Sequence, residues 1–372
     1  MTKEYTSLGL MSGTSGDGVD ASIIQSDGDT KYEVFKDKYF EYDNNIYQNI
    51  HDLKENINGA KDLKKFSKEL YDLEKKITFF HAKIIKELST LKEIDLVGFH
   101  GQTIYHNSQE KISNQLGNGK LLSQLTEKNI VYNFRQNDIK NGGEGAPLTP
   151  IFHQLIVKKL KLDLPVCILN IGGISNLTII GKTKGQKIFL SRDIGPGNCL
   201  IDSWVRKNSS RKFDEDGLLA TKGKRNDIIF EQAQELFANR PKQNTLSFDV
   251  NDFDVSFVRG LSLEDGTTTL TDFTAKIIGT ALLSFLSNVK NTTKVLVCGG
   301  GRKNKILINR VRENTLKSLI IQPIDDYGVN GDFVESQAFA FLAIRSLLKL
   351  PISFPETTGC TNPSTGGEII KY

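Results

Sequence analysis

The pattern of apolar and polar side chains predicts that the chain opens with strands. Residues 5–11 are largely apolar, and in residues 19–26 Val19, Ala21 and Ile23 share one face while polar side chains occupy the other. This period of two is typical of a half-buried strand. Residues 31–42 also alternate, so a meander of three strands is predicted.

Helical spacing follows the meander. Apolar side chains recur three or four positions apart between residues 61 and 92, which predicts one long amphipathic helix. A short apolar strand at 95–99 then runs into the polar segment His100–His106, and a strand at 129–134 ends at Arg135. Open α/β sheets place ligands where strands end, so a ligand site is expected there.

The second half of the chain repeats this order of elements. A helix at 151–162 precedes it; its predicted strands are 164–170, 176–180, 187–191, 294–297 and 319–322, and its predicted helices are 270–289, 305–316 and 333–350. Another helix is expected to begin near Cys199, and Thr271 is expected to cap the helix at 270–289. Both halves therefore read as βββαβαβ, although no residue identity relates them.

Two such halves are the arrangement of the actin-like, sugar-kinase-like ATPases. The predicted fold class is α/β, with two RNase H-like domains around a central nucleotide cleft that closes by hinge motion. An N-terminal domain with a phosphate-binding hairpin is predicted at 1–135. A C-terminal domain with a catalytic aspartate and a nucleoside-binding Gly-rich loop is predicted at 136–372, because glycines and prolines break the segment 141–150.

The turn between the first two strands, residues 12–18 (SGTSGDG), is a candidate ligand site. Its small residues let the backbone approach a ligand and aim N–H groups at one point. Hydroxyls add donors, and the carboxylates of Asp17 and Asp20 could face a metal–phosphate complex. The turn lacks the Lys-Ser or Lys-Thr ending of a P-loop. It predicts a hairpin that grips nucleotide phosphates, and the alternative is a tight turn without a ligand.

Composition is that of a globular protein with a sizeable core, at 38% hydrophobic and 25% charged residues. The formal net charge is +4, but no long basic block favours nucleic acid. The four cysteines form no CxxC pair, which indicates neither a zinc site nor a disulfide framework. No signal-peptide region or bilayer-length apolar run stands out, so we expect a cytoplasmic protein without membrane or nucleic-acid partners.

Seven segments, in order, resemble those of one family. They are GLMSGTSGDGVDAS, GFHGQTIYH, NFRQNDIKNGGEGAPLTP, LNIGGISNLT, DIGPGNCLIDSW, CGGGRKN and ESQAFAFLA. Each Gly-rich piece alone is weak evidence. The ordered set, and HGQT together with DIGPGN above all, resembles the anhydro-N-acetylmuramic acid kinases over nearly the whole chain.

The resemblance implies an ATP-dependent enzyme of peptidoglycan recycling. Such an enzyme opens the internal 1,6-anhydro bond of 1,6-anhydro-N-acetylmuramic acid with water and phosphorylates O6. The products are N-acetylmuramic acid 6-phosphate and ADP. The implied cofactors are ATP and Mg²⁺, the implied partners are the amino sugar and ATP, and the implied assembly is a homodimer.

The resemblance also assigns residues. Asp193 matches the catalytic aspartate and is expected to deprotonate the attacking water; the alternative is a helix-capping carboxylate. Nucleotide contacts are expected from Gly13, Thr14, Ser15, Gly16, Asp17, Gly18, Val19, Asp20, Gly172, Gly173, Gly299, Gly300 and Gly301. Sugar contacts are expected from His100, Gln102, Thr103, Arg135 and Asn198. Asp17 and Asp20 are expected to face Mg²⁺ through phosphates or water.

Several positions depart from the family pattern. Gly16 stands where Leu is usual, Asn133 where Asp is usual, and Tyr105 and Asn107 where Arg and Pro are commoner. In the segment 241–252, KQNTLSFDVND replaces the usual Lys-Ser-Thr-Gly-Arg run. These departures bear on sugar contacts and substrate range more than on the ATP reaction.

Three alternatives to this function remain at this point. One is another sugar kinase of the same fold, with Asp193 as its base. Another is an ATP-gated scaffold of the actin or chaperone type. The third is a metal-dependent relative that uses His100 and His106.

Overall fold

The folded chain consists of two compact units. The computed structural model describes residues 3–183, 186–239, 247–248, 250–286 and 292–372. Unit 1 comprises Met1–Lys161 and Asp332–Tyr372, and unit 2 comprises Leu162–Gly331. This division differs from the predicted boundary after residue 135, because the chain leaves unit 1 later and returns to it at its end.

Strands and helices alternate along both units. In chain order, the strands are β1 (Tyr5–Ser12), β2 (Gly18–Ser26), β3 (Tyr32–Glu41), β4 (Leu96–Asn107), β5 (Ile112–Leu116), β6 (Asn129–Tyr132), β7 (Val166–Ile171), β8 (Ile174–Thr183), β9 (Gln186–Pro196), β10 (Thr293–Cys298), β11 (Leu319–Pro323) and β12 (Glu368–Ile370). The helices are α1 (Asn44–Asn56), α2 (Ala60–Lys65), α3 (Ser67–Ser89), α4 (Gly119–Thr126), α5 (Gln136–Lys140), α6 (Pro150–Lys159), α7 (Cys199–Asn208), α8 (Asp227–Ala238), α9 (Leu263–Leu286), α10 (Lys305–Glu313), α11 (Val334–Leu347) and α12 (Pro355–Thr358).

Each unit is built on one mixed sheet, and the two sheets share a strand order. Unit 1 has the order β12-β6-β4-β1-β2-β3, with β5 paired to β4, and unit 2 has β11-β10-β7-β8-β9. In both, an antiparallel meander comes first, and its first strand then pairs in parallel with a later one. The predicted α/β class and the two βββαβαβ halves are confirmed.

Helix α11 explains why the end of the chain belongs to unit 1. The helix is buried along nearly its whole length and packs on β1, β2 and β4. A Cβ atom at Gly9 of β1 would lie 1.9 Å from the Ser336 carbonyl oxygen, so the helix backbone lies directly on the sheet. The apolar run at residues 338–344 is typical of a core helix, but that pattern does not say which sheet the helix covers.

The cores follow from this layering. In unit 1, one apolar cluster joins the sheet to α1, α3 and α4, and another joins it to α11. In unit 2, clusters join the sheet to α9 and α10, and α7 to α8 and α9. Among the described helices, α9 alone is long and apolar enough to cross a membrane, yet 67% of its most apolar window is buried, as in a core helix. All four cysteines are buried free thiols.

The prediction of one continuous helix at 61–92 is wrong, because two helices occupy this segment. Helix α2 ends at Lys65 and α3 begins at Ser67, since Phe66 between them has φ −97° and ψ 23°. The apolar stripe itself exists, and Leu73 and Ile77 are buried. The spacing of apolar residues continues across a break of one residue, so the sequence pattern does not reveal it. The sequence pattern did not predict helices α1, α4, α5, α8 and α12 or strands β5 and β12.

Two strands run past their predicted ends. Strand β4 continues beyond Phe99 to Asn107, because its second half pairs with β5. Strand β9 runs on to Pro196, so Asp193 lies within the strand and not after it. Polar side chains on these extensions hid them from a pattern based on hydrophobicity.

The cap predicted at Thr271 is also wrong. Helix α9 begins at Leu263, and the Thr271 hydroxyl donates to the Thr267 carbonyl oxygen at 2.8 Å within the helix. The start was missed because residues 264–269 are polar or small. The predicted end of this helix, 287–289, lies outside the described residues.

Candidate active site

The turn between β1 and β2 forms the candidate phosphate site of unit 1. The Gly16 N–H donates to the Gly13 carbonyl oxygen at 3.2 Å. Gly16 has a φ of +63°, and a Cβ there would meet Ile50 Cγ2 at 2.7 Å, so this conformation of the turn favours glycine. Thr14 and Ser15 are exposed at the tip. Their hydroxyl groups can therefore reach a ligand.

Neighbouring elements hold this turn in place. Lys54 Nζ of α1 donates to the Thr14 carbonyl oxygen at 2.7 Å, and Gln102 Nε2 of β4 donates to the Gly13 carbonyl oxygen at 3.0 Å. Gln102 is fully buried, and its Oε1 has no hydrogen-bond partner among the described residues. The predicted sugar contact Gln102 thus holds the candidate phosphate turn through its side-chain nitrogen. Thr103 Oγ1 beside it accepts from Gln115 Nε2 at 3.3 Å.

The residues after the turn, Gly18–Asp20, begin β2. The Val19 side chain lies in the core with 0% exposure, so only its backbone can serve a ligand. The Asp17 carboxylate accepts from Ser15 Oγ at 2.6 Å. Burial raises the pKa of the Tyr39 hydroxyl, and the charges of Asp17 and Asp20 raise it further. Both carboxylates therefore lie close enough to Tyr39 to act on it electrostatically.

Carboxylate oxygens are the ligands that Mg²⁺ prefers, so Asp17 and Asp20 fit the predicted role. Among the described residues, no group of three or more His, Cys, Asp or Glu side chains could hold a metal ion by itself. The alternative site on two histidines gains no support, since His106 Nδ1 bonds to Ser113 Oγ at 2.9 Å and His100 bonds to Arg135.

Two other predicted sugar contacts, His100 and Arg135, lie together. His100 Nε2 accepts from Arg135 Nη2 at 3.0 Å, and its Nδ1 lies 2.8 Å from the Gly101 carbonyl oxygen. Arg135 Nη1 donates to the Gly145 carbonyl oxygen at 2.8 Å. Burial, and then the Arg135 charge, hold the pKa of His100 well below its ordinary value.

Glu335, in the first turn of α11, is a charged residue to which the sequence assigned no role. Burial raises the pKa of Glu335, and the charge of Arg135 acts against that rise. Burial and the same charge lower the pKa of His106 to about 3. Arg135 is therefore the charged centre of a polar group drawn from β4, α11 and the start of α5. The available signal was a carboxylate in the first turn of a helix whose middle, residues 338–344, is apolar.

Asp193 of unit 2 lies on β9 at an irregularity in the sheet. Asn176 of β8 pairs with Asp193, while the preceding residue of β8 pairs with Gly195. The extra residue, Ile194, makes a β-bulge, which re-aims neighbouring side chains. Asp193 Oδ2 accepts a hydrogen bond from the Phe248 N–H at 2.8 Å. This backbone donor holds the carboxylate, and sequence reasoning missed it.

Phe248 is itself anchored by aromatic rings. Its ring lies 5.5 Å from that of Phe253, which stacks on Phe237 at 6.3 Å. Phe248 belongs to the segment that departs from the family pattern. Most of that segment, residues 241–246 and 249, lies outside the described residues.

A second Gly-rich turn, Gly172–Gly173, follows β7. Its carbonyl oxygens accept from the N–H groups of Gly197, Asn198 and Cys199 at 2.9, 2.8 and 3.1 Å. The turn is thereby fixed to the start of α7. The structure therefore brings the end of the Gly-Pro-Gly segment that follows Asp193 against this turn.

A third Gly-rich turn, Gly299–Gly301, follows β10. Strands β7 and β10 are parallel neighbours, so both turns lie at one edge of the sheet, where α/β sheets bind ligands. Gly299 has a φ of +79°, and a Cβ there would meet Asn170 Oδ1 at 2.4 Å. A Cβ at Gly301 would lie 3.1 Å from Asn198 Oδ1. Asn198, predicted as a sugar contact, thus lies beside the predicted nucleoside turn.

Arg302 fixes this third turn, and its partner Asp325 was not predicted. Arg302 Nε and Nη2 donate to the two Asp325 carboxylate oxygens at 2.7 and 2.9 Å, and Nη1 donates to the Gly299 carbonyl oxygen at 3.1 Å. The Arg302 hydrogen bonds lower the pKa of Asp325. The Gly331 N–H adds a bond to Asp325 Oδ1 at 3.2 Å. A bidentate pair thus ties the turn to two further segments of unit 2.

Comparison with known proteins shows the family of this chain. The family model for anhydro-N-acetylmuramic acid kinase matches residues 5–372. The chain belongs to the anhydro-N-acetylmuramic acid kinase family. Proteins of that name from Pelagibacter ubique and Zymomonas mobilis are 54% and 36% identical to it, over 100% and 97% of this chain and 100% and 98% of theirs. The Agrobacterium fabrum protein of that name is 34% identical over 100% of both chains.

Solved structures resemble the chain more distantly. A Clostridium difficile activator of 2-hydroxyisocaproyl-CoA dehydratase with bound ADPNP has a TM-score of 0.39 and 12% identity, covering 92% of this chain and 96% of its own. A glucokinase of the ROK family from Streptomyces griseus has a TM-score of 0.40 and 12% identity, covering 91% and 98%. Nothing about the reaction follows from likenesses at this level.

The departures from the usual pattern of the anhydro-N-acetylmuramic acid kinase family have local explanations. Asn133 has a φ of +57°, a left-handed conformation that Asn and Asp both tolerate. The Tyr105 hydroxyl donates to Glu110 Oε2 at 2.7 Å, and Asn107 Oδ1 accepts from the Glu110 N–H at 2.9 Å. Both side chains therefore stabilise the connection between β4 and β5.

Proposed function

We propose that this chain is an ATP-dependent anhydro-N-acetylmuramic acid kinase. It cleaves the 1,6-anhydro bond of 1,6-anhydro-N-acetylmuramic acid with water and phosphorylates O6. The proposal is carried by one observation, which is that Asp193 of the DIGPGN segment, in a member of this family, is held on a β-bulge by a backbone N–H at 2.8 Å. A backbone donor favours the ionised carboxylate that a general base requires.

In the proposed reaction, Asp193 takes a proton from water as its oxygen attacks the anomeric carbon. The bond from that carbon to O6 breaks, and O6 takes the γ-phosphoryl group of ATP, with ADP as the leaving group. Phosphoryl transfer needs mainly positioning and neutralisation of charge. When bound, Mg²⁺ supplies part of that neutralisation, and Asp17 and Asp20 are the side chains that would hold it.

The remaining roles divide between the units. In unit 1, the residues proposed to hold phosphate are Gly13, Thr14, Ser15, Gly16 and Gly18–Asp20, and those proposed to hold the sugar are His100, Gln102, Thr103 and Arg135. In unit 2, Gly172, Gly173, Gly299, Gly300 and Gly301 are proposed to hold the nucleotide and Asn198 the sugar. The polar and glycine-rich surroundings described above support these assignments.

We also propose a homodimer that works in the cytoplasm within peptidoglycan recycling. The buried free thiols suit a reducing compartment. Light scattering coupled to size exclusion measures the assembly directly. A mass of one chain at micromolar concentration would contradict the dimer.

Mass spectrometry tests the reaction. The purified protein is incubated with ATP, Mg²⁺ and 1,6-anhydro-N-acetylmuramic acid in ¹⁸O-water. We expect one phosphate on the sugar and one ¹⁸O atom at its anomeric hydroxyl, because water attacks that carbon. A parallel reaction contains N-acetylmuramic acid, which has no anhydro bridge.

The outcomes separate the alternatives. Phosphorylation without ¹⁸O at the anomeric carbon would mean a sugar kinase that leaves the bridge intact. Faster phosphorylation of the open sugar would favour an ordinary hydroxyl as acceptor. ATP hydrolysis that is indifferent to either sugar would favour the scaffold alternative.

A further inference from the structure

Helix α1 lies directly against the turn between β1 and β2. Ile50 of this helix is buried with 0% exposure, and a Cβ at Gly16 would lie 2.7 Å from its Cγ2. Lys54 follows Ile50 by four residues, so the two side chains lie on the same face of the helix. The ammonium group of Lys54 thereby reaches the tip of the turn, where Nζ donates to the Thr14 carbonyl oxygen at 2.7 Å.

The start of α1 is also bonded to this turn. The hydroxyl group of Tyr42 lies 2.7 Å from Ser12 Oγ, and the Tyr42 N–H donates to the Asp17 carbonyl oxygen at 2.9 Å. Asp43, the next residue, caps the helix by accepting from the Ile46 N–H at 2.9 Å. The turn and the helix are therefore held in a fixed relation to each other.

The bond at the Thr14 carbonyl oxygen sets the direction of the next N–H group. The Thr14–Ser15 peptide is trans and planar, so its C=O and N–H groups point in opposite directions. Because the carbonyl oxygen is bonded to Lys54, the Ser15 N–H points away from the ammonium group. A cation at the carbonyl oxygen also polarises the peptide, which makes the N–H a stronger donor.

The preceding peptide, Gly13–Thr14, is arranged in the same way. Gln102 Nε2 donates to the Gly13 carbonyl oxygen at 3.0 Å, so the Thr14 N–H points away from Gln102. Within the described part of the chain, no acceptor is bonded to the N–H groups of Thr14 and Ser15, and both residues are exposed. Two successive N–H groups of this kind suit an anion such as a phosphate group.

We propose that Lys54 is a positioning residue, which bonds to the Thr14 carbonyl oxygen and thereby aims the Ser15 N–H at a phosphate group of the nucleotide. The inference rests on the proposed function for the presence of a nucleotide at this turn. It goes beyond that function because it assigns a role to a helix side chain outside the Gly-rich segments. Since α1 was not predicted, the sequence pattern did not single out Lys54.

A pair of substitutions tests the role of Lys54 in turnover. Lys54→Met removes the donor and keeps the length of the side chain, whereas Lys54→Arg keeps a cationic donor. We expect Lys54→Met to raise the KM for ATP roughly tenfold, as is usual when a hydrogen bond from a charged group is lost, and Lys54→Arg to raise it less than about threefold. The value of kcat and the KM for the sugar should change less than about twofold, because the lost bond holds the nucleotide equally in the ground state and the transition state.

The matched control is Lys76→Met. Lys76 of α3 donates from Nζ to Asn45 Oδ1 of α1 at 2.6 Å, so it bonds to the same helix and not to the turn. This variant should leave the KM for ATP unchanged, and thermal melting checks that every variant is folded. An equal rise of that KM in Lys54→Met and Lys76→Met, or an equal rise in the KM for ATP and for the sugar, would overturn the proposal.

Nuclear magnetic resonance observes the Ser15 N–H itself. Thr6-Ser7 and Thr14-Ser15 are the only Thr-Ser pairs in the sequence, so protein labelled with ¹³C-threonine and ¹⁵N-serine gives two carbonyl-selected amide signals. When Mg²⁺ and AMP-PNP are added, the Ser15 proton should move downfield because it bonds to a phosphate group. The signal of Ser7, which is buried in β1, is the internal reference and should keep its position. Adenosine, which has no phosphate group, should move neither signal.

The variants decide between positioning and a general effect of charge. At saturating AMP-PNP, Lys54→Met should lose the shift of the Ser15 proton and Lys54→Arg should keep it. A full shift in Lys54→Met would mean that Lys54 acts through its charge alone, and the absence of a shift in a wild type that binds the nucleotide would mean that the Ser15 N–H does not hold phosphate. Either result overturns the inference. If the shifts are as expected but the wild type does not phosphorylate the sugar, the proposed function fails while the inference stands.

Discussion

Units 1 and 2 share a strand order but divide the chemistry unequally. All five histidines, at positions 51, 81, 100, 106 and 153, fall in unit 1, and the single tryptophan, Trp204, falls in unit 2. Unit 1 surrounds its candidate site with buried side-chain bases and one arginine. Unit 2 surrounds its site with two Gly-rich turns and one carboxylate. The same strand order thus carries two chemically different candidate sites.

Because of these histidines, lowering the pH is expected to produce the largest difference in stability between the two units. Burial lowers the pKa of His81 to about 4 and those of His106 and His153 to about 3, well below the ordinary value near 6.5. The unfolded chain therefore binds protons that folded unit 1 excludes, so stability is complete above about pH 6.5 and falls as the pH drops toward 4. Below about pH 6.5, each of these histidines lowers the free energy of unfolding by about 1.4 kcal/mol for every unit by which the pH falls. The three together lower it by about 4 kcal/mol per pH unit.

Buried carboxylates do not produce this difference. Burial raises the pKa of Asp214 and Asp272 in unit 2 and of Asp37 and Glu335 in unit 1, so acid favours the fold in both. Hydrogen exchange with mass spectrometry at about pH 7.5 and about pH 5.5, corrected for intrinsic rates, should find lost protection in β1–β4 and α3. Trp204 fluorescence reports unit 2 alone and should change less. Equal loss in the two units would contradict the assignment to histidines.

Asp193→Asn is expected to have the next largest effect. Removing a positioned base should lower kcat about 10²–10⁴-fold. The amide can still accept from the Phe248 N–H, so folding and ATP binding should persist. Stopped-time assays of sugar phosphate measure the rate, and Trp204 fluorescence checks folding.

The matched control for this variant is Asp216→Asn. Asp216 is an exposed aspartate of unit 2 with a φ of +54°, a conformation that Asn also tolerates. It should keep wild-type activity. If Asp193→Asn were as active as this control, Asp193 would have no role as the base.

The Gly-rich turns of the two units can be compared by replacing one glycine in each, Gly16 in unit 1 and Gly299 in unit 2. A Cβ at Gly299 would meet Asn170 Oδ1 at 2.4 Å and the Ile171 carbonyl oxygen at 2.6 Å, whereas one at Gly16 would meet a side-chain methyl of Ile50 at 2.7 Å. Backbone cannot give way as a side chain can. We expect Gly299→Ala to cost about 2–4 kcal/mol of stability and Gly16→Ala about 1–2 kcal/mol, since both also impose a positive φ.

Chemical denaturation and the KM for ATP measure both variants. Each should raise the KM for ATP, because each displaces a turn proposed to hold the nucleotide. Gly260→Ala is the control, since Gly260 has a φ of +94° and no atom of the described residues lies within 4 Å of the place an added Cβ would take. The loss of stability in Gly260→Ala should therefore come only from placing a residue with a Cβ at a positive φ. A larger loss from Gly16→Ala than from Gly299→Ala would reverse the comparison.

Much of the fold could be predicted because strands and helices repeat locally. The alternation in β2 and the apolar stripe of α3 are visible within a few residues, and so are the Gly-rich turns. The bonds that complete the candidate site are not local. Phe248 lies 55 positions from Asp193, and Gln102 lies 89 positions from Gly13. Periodicity reports which face of an element is buried, but it does not report which distant segment meets it.

The substitution Arg302→Lys is expected to have the smallest effect. It tests how unit 2 holds the turn Gly299–Gly301. A lysine can replace one contact but not the bidentate geometry that Arg302 makes with Asp325 while also bonding to the Gly299 carbonyl oxygen. We expect a loss of about 1 kcal/mol in stability and a rise of a few-fold in the KM for ATP, with the KM for the sugar unchanged. Arg312→Lys serves as the control, because Arg312 bonds to Asn309 and to the Ile321 carbonyl oxygen and does not touch the turn. Equal kinetic changes in the two variants would mean that Arg302 supports unit 2 in general and does not position the nucleotide turn.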